Sequence, residues 1–149
     1  MVDVKIIGRR KLNAQLKKMS NDLRNDLGIG MEHIIEQMKY DVESTIDTGA
    51  RSGRIYKRGS RMHQASAPGE FPKTDTGELT ASFYKEIQKK FNQVIGILGN
   101  DAPYAKAVEF KPASDGGRPF MRPTWKKWRD PASNFFKQII KSSIKRNSK

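Results

Sequence analysis

Cysteine is absent from the 149 residues, which excludes disulfides, thiol catalysis and cysteine-ligated zinc or iron–sulfur sites. Long apolar runs are missing as well. The longest stretch without a charged residue is the ten residues from Phe91 to Asn100, against the ~20 that a membrane helix needs. The opening "MVDVKIIGRRK" holds no apolar core long enough for a signal peptide. The expectation is a soluble chain, intracellular when made, with no membrane contact. Histidine is scarce, with only His33 and His63 present. His33 lies one residue before Ile34 in an apolar helical stripe and reads as an ordinary helix residue. His63 has Ser60, Ser66 and Glu70 near it in sequence, but a triad needs a buried, oriented base beside its nucleophile. No GxxxxGK[ST], GxGxxG or HExxH pattern occurs. "GGRP" at 116–119 reads as a turn before it reads as a phosphate cradle. The sequence therefore predicts no catalytic residue, no metal and no cofactor.

Positive charge is what the chain has in excess, at a net +13. Residues 1–49 hold eight basic and eight acidic groups, and residues 62–117 hold six and seven. Residues 50–61 hold five basic groups and no acid, while residues 118–149 hold ten basic groups against Asp130 alone. The excess sits in two places, a central segment and the carboxyl-terminal one. Such concentration suggests a polyanion nearby, with nucleic-acid phosphates the obvious candidates. Solvated, solubilising charge is the alternative.

Hydrophobic residues make up 36% of the chain, enough for one domain with a modest core. Val2, Val4 and Ile6 alternate with Asp3 and Lys5, predicting a short strand. Leu12, Leu16, Met19, Leu23 and Leu27 then mark one face of a helix. "GIG" at 28–30 reads as a hinge or cap. A second stripe follows at Met31, Ile34, Ile35, Met38, Val42 and Ile46. A helix pair and one broken long helix fit this equally well. Phe83 and Ile87, then Val94 to Leu98, predict two strands joined by a turn at 89–92. "PYAKAVEF" (103–110) is a helical turn or strand, and "KPASDGGRP" (111–119) a loop. Trp125, Trp128, Phe135, Ile139, Ile140 and Ile144 predict a final helix, with Pro131 at its start or at a kink. The class is α+β: a small antiparallel sheet packed with an N-terminal helix pair and a C-terminal helix. Residues 145–149 read as a basic disordered tail.

Between the two patterned halves lies an arm, residues 49–75, without helical periodicity. Loops of that length are usually functional or disordered. "GRIYKRGSRMHQ" fits an extended hairpin turning at Gly59–Ser60. In it Arg54, Tyr56 and Arg58 share a face, where arginines can grip phosphates and an aromatic can stack on bases or lie on a protein. Arg54, Tyr56, Arg58, Arg61, His63 and Phe71 are the candidate channel or inter-subunit contacts. Asp75 stands in capping-box spacing to Glu78. Tyr104, Phe110, Phe120 and Trp125 are candidate core or interface anchors, with Tyr104, Val108 and Phe110 expected to pack inward.

Five segments, "GRIYKRG", "HQASAPGEFP", "DTGELTASF", "PYAKAVEF" and "RPFMRP", occur in this order. Together they resemble the small neck or tail-completion proteins of long-tailed bacteriophages and prophages, typified by the gene-ten product of phage HK-97. The resemblance spans roughly residues 1 to 145. After the tyrosine motif the family often reads Glu-Phe-Gly-Thr, whereas here Lys111 and Pro112 follow Phe110. The resemblance implies a structural virion protein without enzymatic activity, assembled in the host cytoplasm and placed at the head–tail junction. It also implies a homo-oligomeric ring, expected to be hexameric, stacked between head-completion and tail-terminator proteins around the DNA channel. Non-specific contact with double-stranded DNA fits the charge. An arm that orders on assembly would bear its entropy cost at that moment. The alternative is a free-standing basic nucleic-acid-binding protein.

Overall fold

The computed structural model describes residues 9–49, 52–90 and 93–147, with side chains described from residue 13 onward. The expected strand at Val2–Ile6 lies outside the described residues, as do Ala50 and Arg51, Phe91 and Asn92 of the expected turn at 89–92, and the last two positions. The order is α1 (Arg9–Thr48), β1 (Ile55–Arg58), β2 (Arg61–Gln64), α2 (Glu78–Ala81), β3 (Phe83–Lys89), β4 (Val94–Asn100), α3 (Ala105–Phe110) and α4 (Met121–Asn147). The strands form two separate antiparallel pairs, β1–β2 and β3–β4, rather than a single sheet. The α+β class stands.

The N-terminal helix pair is one unbroken helix of 40 residues. Gly28 and Gly30 do not interrupt it because both lie beneath neighbouring elements. A Cβ on Gly30 would come within 2.3 Å of Ile139 Cδ1 on α4, and one on Gly28 within 2.5 Å of the Lys89 side chain. The glycines form a notch for close packing, and that packing outweighs their poor helix propensity. The α4 helix runs antiparallel to α1, so that Trp128 Nε1 donates to Asp41 Oδ2 at 2.9 Å near one end. Arg146 meets Asp26 near the other. Pro131 stands inside α4 rather than at its start, and the helix continues through Lys145 and Arg146 in place of the expected disordered tail.

The core has two parts along α1. Val42 and Ile46, both fully buried, meet Leu79, Phe83, Ala102, Ala105 and Phe120. Ile34, Ile35 and Met38 meet Ile87 and the Trp128–Phe136 stretch of α4. Leu98 touches both parts. Phe83 and Phe120 stand edge to face with centroids 5.8 Å apart, the arrangement ring quadrupoles favour. The β3–β4 pair lies on α1 through its Gly96 face, where a Cβ would collide with Met31 and Ile35.

The arm divides into a hairpin and a docked return. β1 and β2 pair from Ile55↔Gln64 to Arg58↔Arg61. Gly59 takes φ +59°, as a two-residue turn with glycine first requires. Beyond the hairpin, Ser66 and Pro72 are buried and Phe71 packs against the core around Val42 and Phe83. Lys73 Nζ donates to the Asp47 carbonyl and Thr74 N–H to the Ile46 carbonyl. These bonds satisfy carbonyls that the end of α1 leaves without helical partners. The return therefore folds on the body, although its composition suggests a segment that cannot hold itself. The backbone bonds it makes to other segments supply what apolar burial does not.

Candidate interaction site on the arm

Asp75 organises the arm. Instead of capping α2, whose first N–H, on Glu78, donates to Thr76 Oγ1 at 3.3 Å, its carboxylate faces the hairpin. Arg58 pairs with Oδ2, the Tyr56 hydroxyl donates to Oδ2 at 3.3 Å, and His63 Nδ1 lies 3.7 Å from Oδ1. The Tyr56 and His63 rings are cross-strand partners with centroids 5.2 Å apart. Three of the candidate contact residues, Tyr56, Arg58 and His63, thus turn toward their own body. Phe71 is half-buried against the core.

The hairpin still presents a surface outward. Arg54, Lys57 and Arg61 are exposed and make no ion pair among the described residues. Register puts Ile55, Lys57, Met62 and Gln64 on the face opposite Tyr56 and Arg58. Ile55 and Met62 are 57% and 69% exposed there. The outward face is therefore mixed apolar and cationic.

Two residues hold the arm and the C-terminal helix in place, and sequence pattern singles out neither. The Arg118 guanidinium donates to the Ser66 carbonyl from Nε at 3.0 Å and Nη2 at 2.9 Å, and to the Gly116 carbonyl from Nη1. The Gly69 N–H bonds to the Gly117 carbonyl. Glu109 is buried, and its carboxylate accepts from the backbone N–H groups of Phe120, Met121 and Arg122 at 2.7–3.1 Å. Those are the residue before α4 and the first two of the helix, whose free amides and positive dipole end favour an anion. Arg122 Nε completes the pair at 3.0 Å. An acidic residue in a six-residue helix carries no local signal of this role, because its partners are eleven to thirteen residues on.

The remaining anchors separate. Phe120 is core at 1% exposure. Phe110 does not pack inward: it is 65% exposed, with the Arg122 guanidinium 5.6 Å from its ring centroid. Trp125 is 59% exposed and Tyr104 39%. Burial pushes the Tyr104 hydroxyl's pKa up, helped by the charge of Glu78 and a hydrogen bond to it. No group of three or more histidine or acidic side chains suited to a metal ion occurs among the described residues. Along α4, Lys126, Lys141 and Lys145 are exposed and make no ion pair among the described residues, and Lys137 is exposed near Asp130. Comparison with protein-family models, curated proteins and solved structures finds no match.

Proposed function

We propose that this protein is a structural joining component at the head–tail junction of a long-tailed phage or prophage, acting as part of a homo-oligomeric ring around the DNA channel. The observation that carries this reading is the convergence of the five segments on which the resemblance rests. Arg118 of "RPFMRP" clamps the "HQASAPGEFP" return, Glu109 of "PYAKAVEF" seats the first turn of α4, and Asp75 of "DTGELTASF" holds the "GRIYKRG" hairpin. The whole set behaves as one frame that positions an outward hairpin with exposed Ile55 and Met62. Such a surface suits protein contact better than chemistry. In a phage carrying an early stop codon in this gene, the expected lysate contains filled heads and separate tails. Intact particles at normal titre would refute the reading.

A second reading rests on a different surface. The exposed lysines of α4 form a positive stripe about 30 Å long from Lys126 to Lys145 at 1.5 Å per residue. That stripe suits sequence-independent contact with duplex phosphates, either within the channel or in a free-standing nucleic-acid-binding protein. Binding that is equal across unrelated duplexes and weakens steeply with salt would support this second reading.

A further inference from the structure

The free edge of β4 opens onto an apolar groove that lacks a strand. In the β3–β4 pair, the flanking Lys90 N–H bonds to the Gln93 carbonyl and the Asp101 N–H to the Ser82 carbonyl. With the register Phe83↔Asn100 to Lys89↔Val94, the mutually bonded pairs fall at Ile95, Ile97 and Gly99. Val94, Gly96 and Leu98 therefore turn their N–H and C=O groups to the opposite edge. None of these groups has a backbone partner there among the described residues. Gly96 and Leu98 line a groove of about 670 Å³, floored by Ile35, Met38 and Phe120 and walled on the far side by Trp125 and Phe110. An unpaired edge beside a row of apolar side chains is what strand addition uses: the ladder supplies affinity and alternate side chains enter the groove.

The chain contains a matching segment. Val2, Val4 and Ile6 alternate with Asp3 and Lys5, so one face of the segment, when extended, is wholly aliphatic. It cannot reach its own groove. Arg9 begins α1, and Ile35 lies 26 positions along that helix, about 39 Å away at 1.5 Å per residue. The seven residues from Val2 to Arg9 span at most about 25 Å fully extended. We propose that the Val2–Ile6 segment of one copy adds as a strand to the β4 edge of a second copy, with Val2, Val4 and Ile6 facing the groove. The contact is heterologous, so each copy both gives and receives a strand, and repetition closes a ring or extends a filament. It rests on the ring reading above only in requiring a second copy.

The absence of native cysteine makes a cross-linking test clean. Full-length Asp3→Cys and Ile97→Cys chains are mixed and treated with a short bismaleimide, with Ser60→Cys at the hairpin tip as the control acceptor. Held contact raises the effective concentration toward the millimolar range, so the Asp3–Ile97 adduct should exceed the control by roughly tenfold or more. Adding Val4→Pro, which removes a ladder N–H, should abolish that excess and move the sedimenting species toward monomer. Its thermal melt, taken at a dilution where the parent is also monomeric, should match the parent, since both parts of the core described above are complete without that segment among the described residues. Equal adducts with both acceptors, or an adduct indifferent to Val4→Pro, would overturn the inference. Oligomers that survive Val4→Pro without the adduct would overturn it while leaving the ring to assemble through another surface. A chain that stays monomeric and gives no adduct also overturns it, and the joining role is then judged by the particle counts alone.

Discussion

Asp75 places a single carboxylate under three arm side chains, yet its surroundings are partly wet, with Arg58 53% exposed. Exposed pairs of this kind contribute less than about 1 kcal/mol. Asp75→Asn should therefore leave the melting temperature almost unchanged while speeding amide exchange across 55–64, measured by mass spectrometry. Unchanged exchange would mean that the hairpin needs no such anchor. Glu109 is the opposite case. Its side chain is 5% exposed and serves three amides and an arginine. Glu109→Ala leaves the buried Phe120 N–H and the partly buried donors of Met121 and Arg122 without their acceptor, a loss of roughly 2–4 kcal/mol. At this size that lowers the melting temperature by about 5–12 °C. Asp41 should show itself through pH. Burial pushes its carboxyl up, but hydrogen bonds from Lys127 and Trp128 and the Lys127 charge outweigh that and hold it below its ordinary value of 3.8. A lowered folded-state pKa means that the stabilisation is complete above the ordinary value and is lost as pH falls through the lower one. Denaturant unfolding of Asp41→Asn should therefore match the parent's acid dependence except below about pH 4, where it should be flatter.

At the scale of elements, the two notch glycines test the packing account of α1. Gly28→Ala meets only the flexible end of Lys89, so it should gain about 0.5–1 kcal/mol from helix propensity. Gly30→Ala drives a methyl into Ile139 and should lose about 1–3 kcal/mol by overpacking. Equal effects in urea melts would return the segment to the hinge that its sequence suggests. The same contrast explains what is legible in advance. Periodicity within one element is readable: the hairpin turning at Gly59–Ser60, the strand pair from Phe83 and Val94, and the helical stripe after Trp125 all follow from local pattern. Whether "GIG" breaks a helix depends on which helix lies across it, and no local pattern encodes that. Asp75 is similar, because its capping-box spacing to Glu78 is correct but Arg58 and Tyr56 compete for the carboxylate from seventeen and nineteen residues away. Phe110 reads as core as the last of the three large apolar residues Tyr104, Val108 and Phe110 in that segment. Its exposure follows from Glu109, the neighbour whose burial against α4 turns the next side chain outward.

For the whole molecule, the location of free charge decides where a polyanion would lie. Arg58 is occupied by Asp75, whereas Lys126, Lys141 and Lys145 along α4 and Arg54, Lys57 and Arg61 on the hairpin have no ion-pair partner among the described residues. Two triple reversals to glutamate separate these surfaces. Neither set is buried, so each should shift folding stability by only about 0.5 kcal/mol per site. Reversing Lys126, Lys141 and Lys145 should weaken binding to any duplex and reduce the salt slope by roughly 2–3, about 0.9 for each phosphate that is no longer neutralised. Reversing Arg54, Lys57 and Arg61 while sparing Arg58 keeps the Asp75 anchor and changes only cations without an ion-pair partner among the described residues, Lys57 on the outward face and Arg54 and Arg61 on the face of Arg58. On the proposed joining role, this second variant should yield filled heads and unattached tails in a phage, because Lys57 shares the outward face with the exposed Ile55 and Met62, a mixed patch that suits a protein partner. DNA in a channel would gain nothing from those two side chains. Empty heads with joined tails would instead place the hairpin against DNA, and normal particles at normal titre would reduce its charge to solvated surface.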